Sequence, residues 1–275
     1  MHLLLIGHGY LGQALTQRFR ENAWQTSAVS LGGGSDSVAC DVADARAVAA
    51  LGASVAPDLI IHCAASGRGG AEAYQRVYVD GCRNLLEAFP GTPLLFTSSS
   101  SVYAQTDGSE VTEASPTLPE RDTGKMLLEA ERLTLASGGI VVRLAGIYGP
   151  GRSVILRKFL AGEAVMEDGG ERFLNQIHRD DAVRAIQHLT IGPIRQRGEV
   201  FNLSDSSPLT QRACYQHLST LFQRPLPPSA ARDLARKRGW THKQVANTKL
   251  QASGWQPQYP SFLDAVPGIA PTLGL

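Results

Sequence analysis

"MHLLLIGHGYLG", residues 1–12, decides the fold. Four apolar residues, Leu3 to Ile6, have the length and continuity of a buried strand. They run directly into Gly7-His8-Gly9-Tyr10-Leu11-Gly12, after which "YLGQALTQRFREN" (10–22) carries apolar residues at helical spacing. Strand, glycine turn and helix in that order form a phosphate-binding unit. Gly7 permits the tight turn, Gly9 lets backbone approach a pyrophosphate, and Gly12 lets helix and strand pack closely. The helix N-terminus adds free N–H groups and positive potential, so Gly7, His8, Gly9, Tyr10, Leu11 and Gly12 are the first candidate cofactor residues.

Working outward, further short apolar runs at 26–29, 59–65, 94–99 and 140–146 alternate with helical patterns such as 73–89. This order predicts an α/β fold, a Rossmann-type doubly wound parallel sheet covered on both faces. After about residue 150 the pattern breaks into shorter pieces punctuated by "QRPLPPS" (223–229). We therefore expect a dinucleotide-binding domain over 1–150 and a smaller C-terminal substrate lobe over 151–275. Segments of about 182–204, including "EVFNLS" (199–204), are expected to return to the sheet.

The chain has 275 residues and a formal charge of +1, which gives no global reason to expect nucleic acid or membrane as a partner. Its four cysteines are scattered without a CxxC pair, so neither a disulfide framework nor a metal site is expected. The apolar run at the start is too short for a signal peptide or membrane span, and a reducing cytoplasm is the expected location. Ser30 falls where the second strand should end and the adenine ribose should be read. The absence there of an acid or a nearby arginine favours NADP over NAD.

Several later blocks carry a family likeness. "ACDVAD" (39–44), "DLIIHCAA" (58–65), "FTSSSSVYA" (96–104), "VRLAGIYGPG" (142–151), "IHRDDAVRAI" (177–186) and "NTKLQASGWQPQYPSFLDAV" (247–266) stand in order. Together they resemble the extended short-chain dehydrogenase/reductases, the superfamily of nucleotide-sugar epimerases and dehydratases. The resemblance implies that Asp41 and Val42 meet the adenine, that Cys63, Ala64 and Ala65 line the cofactor, and that Ser99 hydrogen-bonds substrate. It also implies that Lys125 holds the nicotinamide ribose.

The departures matter as much. Tyr78 stands where the family usually has an asparagine, and in "SPTLPERDTGKMLLEAERL" (115–133) Arg121 replaces the catalytic tyrosine four residues before Lys125. This resembles the atypical branch of the superfamily. A guanidinium cannot serve as the base, though it can stabilise an anionic group or an oxyanion. Tyr103 is the nearest spare phenol in sequence.

The catalytic candidates are thus Ser99, Lys125, Tyr103 and Arg121. Two functions stay open. One is an NAD(P)-dependent oxidoreductase or epimerase/dehydratase acting on a small carbonyl or carbinol compound, such as a nucleotide-linked sugar. The other is a non-catalytic dinucleotide-binding or redox-sensing protein. His62, on an apolar strand, reads as a core histidine; Asp180 or Asp181 reads as a helix cap, with His178 capping or touching substrate. The basic stretch 232–249 offers Arg236, Lys237, Arg238 and Lys243 to a phosphate. The resemblance also implies a homodimer through segments 73–89 and 122–136, with Val79, Leu86, Leu127 and Leu128 serving core and partner together.

Overall fold

The structure, a computed structural model, describes residues 1–67, 69–191, 198–232 and 240–274. Its central sheet has seven strands: β1 (His2–Ile6), β2 (Gln25–Ser30), β3 (Val38–Ala39), β4 (Leu59–His62), β5 (Leu94–Ser99), β6 (Ile140–Leu144) and β7 (Val200–Leu203). Their spatial order is β7-β6-β5-β4-β1-β2-β3. The order reverses beside β1, and every pair that β1 makes is parallel. That is the topological switch point of a doubly wound sheet, where such folds bind ligands. The parallel seven-stranded sheet agrees with the expected fold class.

Burial explains the unbroken apolar runs. Leu3, Leu4 and Leu5 are all fully enclosed, because helices cover both faces of β1. Each such side chain contributes on the order of 1.5–3 kcal/mol relative to exposure.

The chain divides into two compact units. The first comprises Met1–Val102, Pro119–Arg143 and Val183–Phe201; the second comprises Tyr103–Leu118, Leu144–Ala182 and Asn202–Leu275. The stretch from Tyr103 to Leu118 thus sits with the C-terminal lobe, because Glu110–Val111 pairs in parallel with Gln244–Val245. The second unit has its own apolar core, built around Tyr148, Phe159, Tyr215 and Phe262.

Helices α1 (Tyr10–Glu21), α2 (Ala45–Ser54), α3 (Ala71–Tyr74), α4 (Gly81–Ala88) and α5 (Asp122–Ala136) belong to the first unit. Asp44 caps α2 by accepting from the Arg46 and Ala47 N–H groups. Of the four positions expected to serve core and partner together, Val79 and Leu127 are buried in the core, whereas Leu86 and Leu128 keep part of their surface. Among the described residues no helix is long and apolar enough to cross a membrane.

Candidate functional site

The glycine turn joins β1 to α1 at the C-terminal edge of the sheet. Gly7 has φ of +103°, and a Cβ there would lie 2.4 Å from the Ala64 nitrogen. Its N–H donates to the Val29 carbonyl at 2.8 Å, while the Cys63 thiol donates to the Gly7 carbonyl at 3.1 Å. Gly7 is therefore wedged between the ends of β2 and β4, where no side chain fits. A Cβ on Gly12 would lie 2.0 Å from the Gly7 carbonyl oxygen, so the helix can start this close to the strand only with glycine. Gly9 differs. A Cβ there would meet nothing within 4 Å, and no side chain caps α1 at this residue. Open space in front of an uncapped helix N-terminus is the cradle that a pyrophosphate requires, so the residues present fit a dinucleotide.

The remaining cofactor candidates of the first unit surround this turn in sequence order. Ser30 ends β2, with its hydroxyl 2.9 Å from that of Ser37. Asp41 uses one oxygen to accept from the Ala43 N–H and the other to pair with Arg76 at 2.8 Å. Val42 is buried under α4, its carbonyl taken by Asn84. Cys63, Ala64 and Ala65 follow β4, and burial pushes the Cys63 thiol up to about 12, which keeps it protonated and unreactive at neutral pH.

Of the catalytic candidates, Ser99, Arg121 and Lys125 belong to the first unit and Tyr103 to the second. Ser99 ends β5, buried, and its Oγ accepts from the Ser101 N–H at 3.2 Å. Its neighbour Ser98 turns inward and donates to Glu131 at 2.5 Å. Glu131 in turn pairs with Arg143 at 2.7 Å, and both ions are almost fully buried. Arg121 is the exposed residue preceding α5, in extended conformation, and its carbonyl accepts from Gly124 and Lys125. Lys125 is exposed and paired with Asp122. Tyr103 lies in the second unit, fully enclosed, and its hydroxyl donates to Asn202 at 2.8 Å. That environment is a core one: the phenol proton is committed to a buried amide.

Other candidates take plain structural places. His62 is fully buried and donates through Nε2 to the Val77 carbonyl at 2.9 Å; burial pushes it down to about 4, so it is neutral at physiological pH. His178 caps the helix Arg179–Ile191, its Nδ1 accepting from the Asp180 N–H. Asp181 accepts from the Gln258 and Tyr259 N–H groups and so ties down the C-terminal segment. Lys243 is buried rather than exposed, donating to the Tyr103 carbonyl and to Thr241. Arg236, Lys237 and Arg238 lie outside the described residues. Among the described residues no cluster of His, Cys, Asp or Glu could hold a metal ion. Sequence reasoning missed Arg76, whose partnership with Asp41 carries no local signal across 35 positions.

The NAD dependent epimerase/dehydratase family model matches residues 3–204. None of the curated proteins compared matches the chain. Among solved structures, a protein from Methylobacillus flagellatus described as an NAD-dependent epimerase/dehydratase is 26% identical, with a TM-score of 0.79 over 100% of this chain and 99% of that one. UDP-glucose 4-epimerase from Thermotoga maritima, solved with UDP-glucose, is 17% identical with a TM-score of 0.83, covering 100% and 99%. UDP-glucuronic acid 4-epimerase from Bacillus cereus, solved with UDP-glucuronic acid and NAD, is 17% identical with a TM-score of 0.81, also covering 100% and 99%.

Proposed function

The chain belongs to the NAD-dependent epimerase/dehydratase family, and from that premise we propose that it binds NAD(P) and acts as an oxidoreductase or epimerase on a carbonyl or carbinol centre. The carrying observation is the glycine turn, where Gly7 and Gly12 are sterically required while Gly9 opens onto free space. A nucleotide-linked sugar is the substrate class we favour, because the similar structures include UDP-sugar epimerases of matching length. When bound, the nicotinamide would supply hydride chemistry. Gly7–Gly12 would hold the pyrophosphate, and Lys125 the nicotinamide ribose. Ser99 would hydrogen-bond the substrate oxygen. Arg121, beside Lys125, would hold an anionic group or developing oxyanion, and it leaves proton abstraction to another group. The uncharged Ser30–Ser37 pair sets no carboxylate against a 2′-phosphate, which favours NADP.

A second reading, a dinucleotide-binding protein without turnover, is favoured by Tyr103, whose phenol faces the core rather than open space. Calorimetric titration with NAD and NADP, followed by a turnover screen on UDP-sugars, separates the readings. In the enzymatic case Arg121→Ala lowers turnover by roughly 10²–10³-fold, as for a lost oxyanion donor. Tight coenzyme binding with no turnover on any substrate supports the second reading; no binding of either coenzyme rejects both. We also propose a homodimer through α4 and α5, where Leu86 and Leu128 remain partly exposed. A monomeric mass by light scattering would reject it.

A further inference from the structure

Between α3 and α4 the chain makes one π-helical turn, Gln75–Asp80. Such turns are rare and concentrate at functional sites. Three consecutive residues of this one reach three different segments. Arg76 pairs with Asp41 at 2.8 Å, the Val77 carbonyl accepts from His62 at 2.9 Å, and the Tyr78 phenol oxygen accepts from the Ser66 N–H at 3.2 Å. Those partners stand beyond β3, at the end of β4 and in the loop beyond β4. All belong to the first unit, and all adjoin candidate cofactor residues in the chain.

The Tyr78 ring is fixed. It is buried, packed edge-on against Tyr74 at 4.9 Å and Phe96 at 5.8 Å between ring centroids. Its hydroxyl is therefore delivered to one place. What it holds there is the last residue of Cys63–Ser66, the segment whose first residues pack against Gly7: the Cys63 thiol bonds the Gly7 carbonyl, and Ala64 leaves no room for a Cβ on Gly7. A loop tied at one end to the glycine turn and at the other to a rigid phenol is preformed, so the cofactor need not order it on binding.

We propose that Tyr78 is a positioning residue for the dinucleotide, its hydroxyl holding the Cys63–Ser66 loop in the shape that the cofactor meets. The inference rests on reading this site as a dinucleotide site. It differs from a packing role in depending on one oxygen atom. Tyr78→Phe keeps the ring and removes that atom.

The test measures NADH and NADPH affinity by nicotinamide fluorescence, the melting temperature, and amide hydrogen exchange at Ser66. Tyr78→Phe is expected to weaken coenzyme binding by about 2- to 12-fold, the effect of one lost hydrogen bond. Its melting temperature should stay within about 2 °C of the parent, and the Ser66 amide should exchange faster. Coenzyme affinity equal to the parent's, with unchanged exchange at Ser66, overturns the proposal and leaves the dinucleotide reading standing. A parent protein that binds neither coenzyme removes both. Should the variant fail to fold, the parent alone still decides: Ser66 must be protected before coenzyme is added. An amide that exchanges freely until coenzyme binds would overturn the inference.

Discussion

Lys125 Nζ lies 2.9 Å from Asp122 Oδ1, one turn back on the same helix, with the two side chains 56% and 70% exposed. An exposed pair of this spacing is worth a few tenths of a kcal/mol. It therefore offers little resistance to a ribose that competes for the ammonium. Asp122→Asn should change coenzyme affinity by less than about threefold, whereas Lys125→Met should weaken it by about tenfold, the equivalent of one charge-assisted hydrogen bond. Equal affinities for parent and Lys125→Met would take Lys125 out of the site.

Gly9 and Gly12 make opposite predictions. A Cβ on Gly12 would meet the Gly7 carbonyl at 2.0 Å, so Gly12→Ala must part β1 from α1 and should cost about 1–3 kcal/mol or more by overpacking. A Cβ on Gly9 meets no protein atom within 4 Å. On the proposed dinucleotide reading, Gly9→Ala should fold with unchanged stability and lose coenzyme affinity, because the methyl group would fill the space a pyrophosphate needs. Chemical denaturation and calorimetric titration of the two variants check both halves.

The buried Glu131–Arg143 pair carries Ser98 on the same carboxylate. Removing the charge with Glu131→Gln strands a buried guanidinium and should cost about 3–5 kcal/mol. Replacing both ions, Glu131→Leu with Arg143→Met, should recover much of that loss. A urea denaturation series would show it. Full stability in the single variant would refute the pairing.

Lys243 makes a pH prediction. Burial, with a smaller contribution from Arg172, pushes its amine down to about 8 from the 10.5 ordinary for lysine. Between those two values the unfolded chain carries a proton that the folded chain has released. Its contribution to stability therefore rises with pH across that window, by roughly 1.4 kcal/mol per unit of difference. Below about pH 8 both states are protonated and the contribution is flat. The stability of the parent relative to Lys243→Met should accordingly climb between pH 8 and 10.5; a constant difference in urea denaturation would contradict it.

Much of the fold was legible because β1, the glycine turn and α1 are contiguous and each obeys a local rule. The partition of Tyr103 was not. "SSVYA" reads as a strand end entering the site, but Glu110–Val111 pairs with Gln244–Val245, more than a hundred residues downstream, and draws Tyr103–Leu118 into the second unit. No spacing rule foresees a ladder that distant. In the glycine turn, Gly7 and Gly12 were readable because their places admit no side chain, and Gly9 because the spacing leaves the helix start open. For Asp41 and Lys125 the residue type was readable but the pairing with Arg76 and Asp122 was not, and partners determine what a charged side chain has left to offer.

The π turn at Gln75–Asp80 resets which way the side chains of 71–88 face. One extra residue per turn rotates everything on one side of it by about 100° relative to an uninterrupted helix. Helical facing counted forward from Ala71 therefore falls one position out of step with facing counted backward from Ala88. Deleting one residue within the turn should restore a plain α-helix and swing Arg76 and Tyr78 away from Asp41 and Ser66 in a single step.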